Sequence, residues 1–364
     1  MSAPYEFVDI QARGPEMVAR AFGNQVEYCR AAGAPITARV VAALGALVAG
    51  DAGGAVLARV RDWPGAPLAD ALPLRLAGAI HALHLAGEEP ALTPIYADEP
   101  ADDAGVLGDL LLRREVDILP WLDGPPQTNE VGRSASLIAA LLWLADQGLP
   151  PRFELLEIGS SAGINLMLSR YRYDLGGVVV GPEGAAIRLA PEWQGAPPPD
   201  CSIEIVSTAG CDIAPVDLTD PAQALRLKAY VWPEHRERFA RIDAAIAEAT
   251  RSPPDLVQMN AADFVAQQLA FPQEEGTTRV LMHSIVWQYV PDDQQARIEQ
   301  AMAAAGAAAT AGNALAWVAL EANRVVHHHE LVVRRWPGDG TPHRLARAHP
   351  HGAWIGWGEF DRLV

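Results

Sequence analysis

The segment F-E-L-L-E-I-G-S-S-A-G-I-N-L, Phe153 to Leu166, holds the residues best placed for ligand chemistry. An apolar run leads into Gly159, a loop of small residues follows, and a helix is expected to start near Gly163. Small residues let the backbone come close to a ligand, and the N–H groups at a helix start face it. Such a strand, glycine loop and helix opens many nucleotide-type sites. A dinucleotide site needs G-x-G-x-x-G to seat a pyrophosphate, but here Ser161 stands where a middle glycine would be. Glu157, two positions before Gly159, would repel a pyrophosphate and suits a cationic ligand bearing an amino group. Ser160 and Asn165 add polar groups to the same loop. The competing structural reading is that Gly159 and Gly163 only permit close packing of strand and helix.

Further groups with chemical potential lie on both sides of this segment. Gln127, Thr128, Asn129, Glu130 and Arg133 form a polar cluster ahead of an amphipathic helix, more polar side chains than a helix cap needs. His283, Ser284, Trp287 and Tyr289 follow a later strand, and open α/β sheets bind ligands beyond the carboxyl ends of their strands. His283 is the candidate general base and Tyr289 a positioning group, although a hydrogen-bonded buried histidine is equally consistent. His327-His328-His329-Glu330, with His349 and His351 further on, has no diagnostic metal spacing, so no metal is expected.

The elements that would position these residues change character along the chain. Before Leu122 the periodicity is helical: Met17 to Cys29, Thr37 to Ala49, Ala55 to Trp63, Leu72 to Ala86 and Ala104 to Leu119. Gly124-Pro125-Pro126 punctuates the chain, which divides it into a helical domain over 1–123 and a second domain over 124–364. After one more helix over Val131 to Ala145, short apolar runs alternate with helices, the pattern of a mainly parallel sheet. The strand candidates are Phe153–Ile158, Ile203–Ser207, Asp255–Met259, Arg279–Ser284, Ala314–Leu320, Glu330–Arg335 and Ala353–Trp357, the last two pairing as a hairpin. Arg172 to Asp200 reads as an insertion with a hairpin of Val178–Val180 and Ile187–Leu189.

Composition narrows the partners. The 364 residues carry a formal net charge of −17, and of 28 basic residues only Lys228 is a lysine. Neutralising phosphates supplies most nucleic-acid affinity, so this charge excludes nucleic acid as an expected partner. Met1 to Gly14 has acidic residues and no apolar core, unlike a signal peptide. Ala301 to Leu320 is uncharged but too weakly apolar for a membrane span. A cytoplasmic protein acting on a small molecule, without a membrane, is expected. The N-terminal helices would form a cap or a homodimer surface. Cys29, Cys201 and Cys211 include no C-x-x-C pair, which indicates neither a disulfide framework nor a thiolate zinc site.

The Glu157 loop resembles the first motif of class I S-adenosylmethionine methyltransferases, acidic-x-G-x-G-x-G, with Ser161 replacing one glycine. I-E-I-V-S-T-A-G-C-D-I-A-P, Ile203 to Pro215, resembles that family's second strand, which implies that Asp212 binds ribose hydroxyls. N-A-A-D-F, Asn260 to Phe264, resembles the turn that contacts the adenine amino group, which implies that role for Asp263. Taken singly, Asp212 and Asp263 are also the residue types of turns and helix caps. Pro125 to Ala135, His283 to Pro291 and His349 to Trp357, with the Glu157 and Asp212 segments, resemble a bacterial domain-of-unknown-function family placed among the methyltransferase-like folds. The resemblance implies a Rossmann-like seven-stranded sheet with its last strand antiparallel, S-adenosylmethionine as cofactor and methyl transfer to a small or medium-sized acceptor. It also places Thr128, Asn129, Glu130, Arg133, Ser284 and Trp287 around the pocket. A non-catalytic cofactor-binding protein on the same fold is the alternative, and an NAD-type oxidoreductase the next.

Overall fold

Apolar residues at helical spacing give the first part of the chain its shape in the computed structural model, which describes residues 11–323 and 328–358. α1 (Pro15–Ala31), α2 (Pro35–Ala49), α3 (Ala55–Arg61), α4 (Leu72–Leu85), α5 (Thr93–Tyr96), α6 (Asp103–Arg113) and α7 (Glu115–Ile118) follow in order. Pro15 and Pro35 occupy first-turn positions, where the missing N–H would be unpaired anyway. The helix expected over Ala104 to Leu119 is interrupted at Arg114, whose guanidinium instead holds Glu89 and Asp117 at 2.8 and 2.6 Å.

Contacts divide the chain into two compact units. The first joins residues up to Thr128 with Asp220–Ala240, so a later stretch completes the helical unit. That stretch holds α9 (Pro221–Ala229), opened by Asp220 capping the Ala222 N–H, and the start of α10 (Arg236–Arg251). It is tied to the earlier helices by hydrogen bonds from Thr37 N and Oγ1 to Glu234, both 2.8 Å, and by His81 Nδ1 at 2.9 Å from the Ala229 carbonyl.

The second unit joins Asn129–Thr219 with the chain from Arg241 onward. It contains α8 (Ser134–Asp146), α11 (Ala261–Ala270) and α12 (Asp292–Ala308). Its first strands are β1 (Arg152–Ile158), β2 (Arg172–Leu175), β3 (Val178–Val180), β4 (Arg188–Leu189), β5 (Glu192–Gln194) and β6 (Glu204–Asp212). β7 (Leu256–Gln258), β8 (Thr277–Ser284), β9 (Asn313–Asn323), β10 (His328–Trp336), β11 (His343–Ala348) and β12 (Trp354–Trp357) complete them. A nine-stranded sheet has the order β5-β12-β11-β10-β9-β8-β1-β6-β7. β7, β6, β1, β8 and β9 are mutually parallel, and β1 at their centre is buried along nearly its whole length, as a strand covered on both faces must be.

The architecture is therefore a mixed α/β fold with a mostly parallel central sheet, but the expected seven strands with one reversed are not what forms. Three strands, β10, β12 and β5, run against the central five. Glu330–Arg335 and Ala353–Trp357 do not pair with each other, because β11 lies between them. The insertion contributes β5 to the sheet edge and builds a small sheet of order β3-β2-β4. Its hairpin is β2 with β3, and β4 pairs with β2 in parallel, which replaces the expected pairing of Val178–Val180 with Ile187–Leu189. Among the described residues no helix is long and apolar enough to cross a membrane. His327 and residues 1–10 of the N-terminal stretch lie outside the described residues.

Candidate functional site

β1 is the topological switch point of the parallel strands, with β6 on one side and β8 on the other. Ligands of open α/β sheets bind beyond the carboxyl ends at such a point. There the chain adopts positive φ at Gly159 (63°), Ser161 (52°) and Gly163 (70°) in succession. The two glycines are also sterically required. A Cβ on Gly159 would lie 2.1 Å from Val286 Cγ2, and one on Gly163 2.7 Å from Pro254 Cγ. The segment after Gly163 is a short 3-10 helix, Ile164–Arg170.

The loop amides are engaged internally. Ser160 N–H donates to the Cys211 carbonyl at 3.0 Å, Ser161 N–H to Asp212 Oδ2 at 2.9 Å, Gly163 N–H to the Ser160 carbonyl at 2.8 Å and Ile164 N–H to Asn129 Oδ1 at 3.0 Å. A pyrophosphate cradle needs such donors turned to the ligand. Here Asp212 and Asn129 hold them instead.

Glu157 is 1% exposed, one residue before the end of β1. Its Oε1 accepts from Asn165 Nδ2 at 3.3 Å, and Asn165 Oδ1 accepts in turn from Ser134 Oγ at 2.8 Å. Its Oε2 is buried with no partner. Burial pushes the carboxyl up to about 8, against the pull of Asn165, Ser160 and the Arg133 charge and with a further push from Asp212. Ser160, fully buried, donates its hydroxyl to the Glu157 carbonyl at 2.9 Å. Asp212 closes β6, accepting from the Ser161 and Ala214 amides, and the neighbouring Ile213 is 74% exposed.

Asp263 lies in the first turn of α11, after the N-cap Asn260, and its carboxylate is paired with Arg297 at 2.6 Å. This pairing and the Asn260 side chain hold its carboxyl below the usual range. Thr128 is exposed and ends the stretch assigned to the first unit. Glu130 is buried and accepts from the Gly132 N–H at 3.3 Å. Arg133, also buried, donates to the Ser284 and Pro350 carbonyls at 3.1 and 2.9 Å. Gly132 is fixed by close approach, since a Cβ there would lie 2.4 Å from the His351 carbonyl oxygen. The polar cluster thus locks the loops after β8 and β11 to the segment before α8.

His283 is 2% exposed on β8, with Nδ1 2.7 Å from Glu321 Oε1 and Nε2 buried without a partner. Its ring stacks on Trp287 at 5.2 Å and meets Trp317 edge-on at 6.0 Å. Tyr289 is 71% exposed, away from any such enclosure. Ile285, between Ser284 and this turn, has φ 56°, a strained value for a β-branched residue. Sequence reasoning passed over Glu321, although an acidic residue at the carboxyl end of an apolar run is the kind of signal that marked Glu157. Burial would raise the Glu321 carboxyl, but hydrogen bonds from His283, Val286 N and Trp287 N outweigh it and hold it below its ordinary value.

Strand alternation separates the two groups of residues. Leu156, Ile158, Leu281, Leu315 and Trp317 share the core packed on α11 and α12, so His283 and Glu321 belong to that face and Glu157 to the other. The faces meet at the carboxyl edge, where Val286 sits against Gly159. Among the described residues no group of three or more His, Cys, Asp or Glu could hold a metal ion.

A search of curated proteins gives no match for the chain. The model of a family described as an uncharacterized protein conserved in bacteria (DUF2332) matches residues 19–357, and the chain belongs to that family.

Proposed function

We propose that the second unit binds S-adenosylmethionine at the carboxyl ends of β1, β6 and β7 and transfers its methyl group to a small acceptor. The observation that carries this reading is the unpartnered, buried Oε2 of Glu157. Burial without a partner keeps this carboxyl protonated up to about 8, and a ligand's ammonium group would supply the donor and opposite charge that its ionised form lacks. Asp212 keeps lone pairs for vicinal hydroxyls, and exposed Ile213 offers an apolar wall for a purine. Asp263 fits less directly, because Arg297 already engages it. The bound cofactor would supply an electrophilic methyl group on a sulfonium. The parallel order β7-β6-β1-β8-β9 followed by reversed β10 supports a methyltransferase-like sheet. The engaged loop amides weigh against a dinucleotide.

The test is a thermal shift. S-adenosylhomocysteine at about 100 times its Kd should stabilise the protein by roughly 2.7 kcal/mol, while NAD gives no shift. Asp212→Ala should reduce that shift without loss of fold. Stabilisation by NAD alone would overturn the reading.

A further inference from the structure

His283 and Trp317 each bury a polar atom that no protein group satisfies, Nε2 of the imidazole and Nε1–H of the indole. Nearly all buried polar atoms in folded proteins have partners, so two orphans on neighbouring rings need an explanation. The three rings pack directly on one another, His283 stacked on Trp287 and Trp317 edge-on to both. His283 to Trp287 is 5.2 Å, Trp287 to Trp317 is 5.4 Å and His283 to Trp317 is 6.0 Å between centres. The two orphans are chemically complementary. With Nδ1 donating to the Glu321 carboxylate, Nε2 of the neutral ring is an acceptor, and the indole is only a donor. A hydroxyl group both donates and accepts, and so can satisfy the two together.

We infer that His283 and Trp317 form a hydroxyl-binding subsite: the hydroxyl donates to His283 Nε2 and accepts from Trp317 Nε1–H, and Glu321 is the positioning residue that sets the tautomer. The owner of that hydroxyl is the methyl acceptor, an assignment that rests on the proposed methyl transfer. A bound sulfonium cofactor would supply the methyl group and keep the carbon–sulfur electron pair, and the proton lost by the hydroxyl as its oxygen took the methyl would pass to His283 Nε2. Glu321 stabilises the imidazolium so formed. The charged and titratable groups around the ring are Glu321 on β9, Arg334 over the Trp317 ring on β10, and Arg133 bonded to the adjacent Ser284; His329 on β10 interacts with Glu321. Trp287 stacks on the His283 ring from a turn that Gln295 ties to α12 through the Trp287 and Val290 carbonyls.

The experiment is NMR of the full chain with nitrogen-labelled histidine and tryptophan, titrated with methanol and phenol as hydroxyl probes and anisole as a control without O–H. Resonances are assigned by their loss in His283→Gln and Trp317→Phe, with Trp317→Tyr as a second variant if the first does not fold. Both hydroxyl probes should shift His283 Nε2 and the Trp317 indole N–H together, and anisole should shift neither. Glu321→Gln should move the His283 nitrogen signals while leaving the Trp317 indole in place, a spectroscopic change that a purely structural role would not give. Equal shifts with anisole, or none with any probe, would mean an apolar space or a buried water only and would overturn the subsite. A subsite that behaves as expected in a protein that S-adenosylhomocysteine fails to stabilise would refute the methyl-acceptor role and the donor reading instead.

Discussion

A buried carboxylate is tolerated when opposite charge and hydrogen bonds replace the water it has lost. Glu154 has both: Arg279 contacts it at 2.8 Å, and the Glu274 N–H and the Thr277 hydroxyl donate to its other oxygen. Glu157, three residues on and on the opposite face of β1, has one hydrogen bond from Asn165 and one bare oxygen. Its folded-state carboxyl rises from 4.5 to about 8, so between those values the folded chain keeps a proton that the unfolded chain has lost. Stability must then fall as pH rises through this window and level off above about 8. Glu157→Gln removes the titration and retains an acceptor for Asn165. The variant should match the parent near the lower end of the window and exceed it in melting temperature above the upper end, by several degrees at about 2–4 °C per kcal/mol. Thermal melts across the pH range check this, and parallel profiles would show that Glu157 is solvated or paired after all.

The two loops at the carboxyl edge act as one element because Val286, after β8, fills the space that Gly159, after β1, leaves open. Gly159→Ala should destabilise by about 2–4 kcal/mol, combining the left-handed backbone cost with overpacking against Val286. Val286→Ala removes the 2.1 Å clash but leaves Val286 Cβ at 2.8 Å, so the double variant should recover only part of the loss. A double-mutant cycle by urea unfolding should give a coupling of about 1 kcal/mol or more, and strict additivity would separate the loops. The Gly159 loop was legible in the sequence because its signals are local: an apolar run, small residues and a carboxylate at fixed spacing. β11 was not legible, because H-R-L-A-R-A lacks an apolar run and yet buries Arg347 inside the sheet. The strands that do pair are joined by short connections, residues 337–342 and 349–353, so β10 and β12 read as a hairpin until β11 is placed between them. His283 and Glu321 each carry a local signal, but that they pair, with the Trp317 indole beside them, becomes visible only when β8 and β9 align.

At the scale of the whole chain, the helical unit is discontinuous in sequence, since Asp220–Ala240 belongs with the residues up to Thr128. Composition marked the Gly124-Pro125-Pro126 break, yet nothing local tells that a helix between two strands completes the first unit. The packing explains the return. Tyr230 lies against Gly78, where a Cβ would come within 2.7 Å of its ring, and meets Trp121 at 5.4 Å between ring centres. Trp232 packs on the core formed by Phe22, Leu44, Leu76 and Ile80. Burying large side chains of this kind contributes about 1.5–3 kcal/mol each, a substantial part of a small domain's net stability. Residues 1–128 expressed alone should therefore melt at a lower temperature and less cooperatively than the full chain. A synthetic peptide of residues 220–240 added in excess should raise that melting temperature in a concentration-dependent way, because it binds only the folded fragment. The same peptide with Tyr230 and Trp232 replaced by alanine should have little effect. A fragment that unfolds sharply at the parent's temperature, indifferent to either peptide, would show that the first unit is complete without the later stretch.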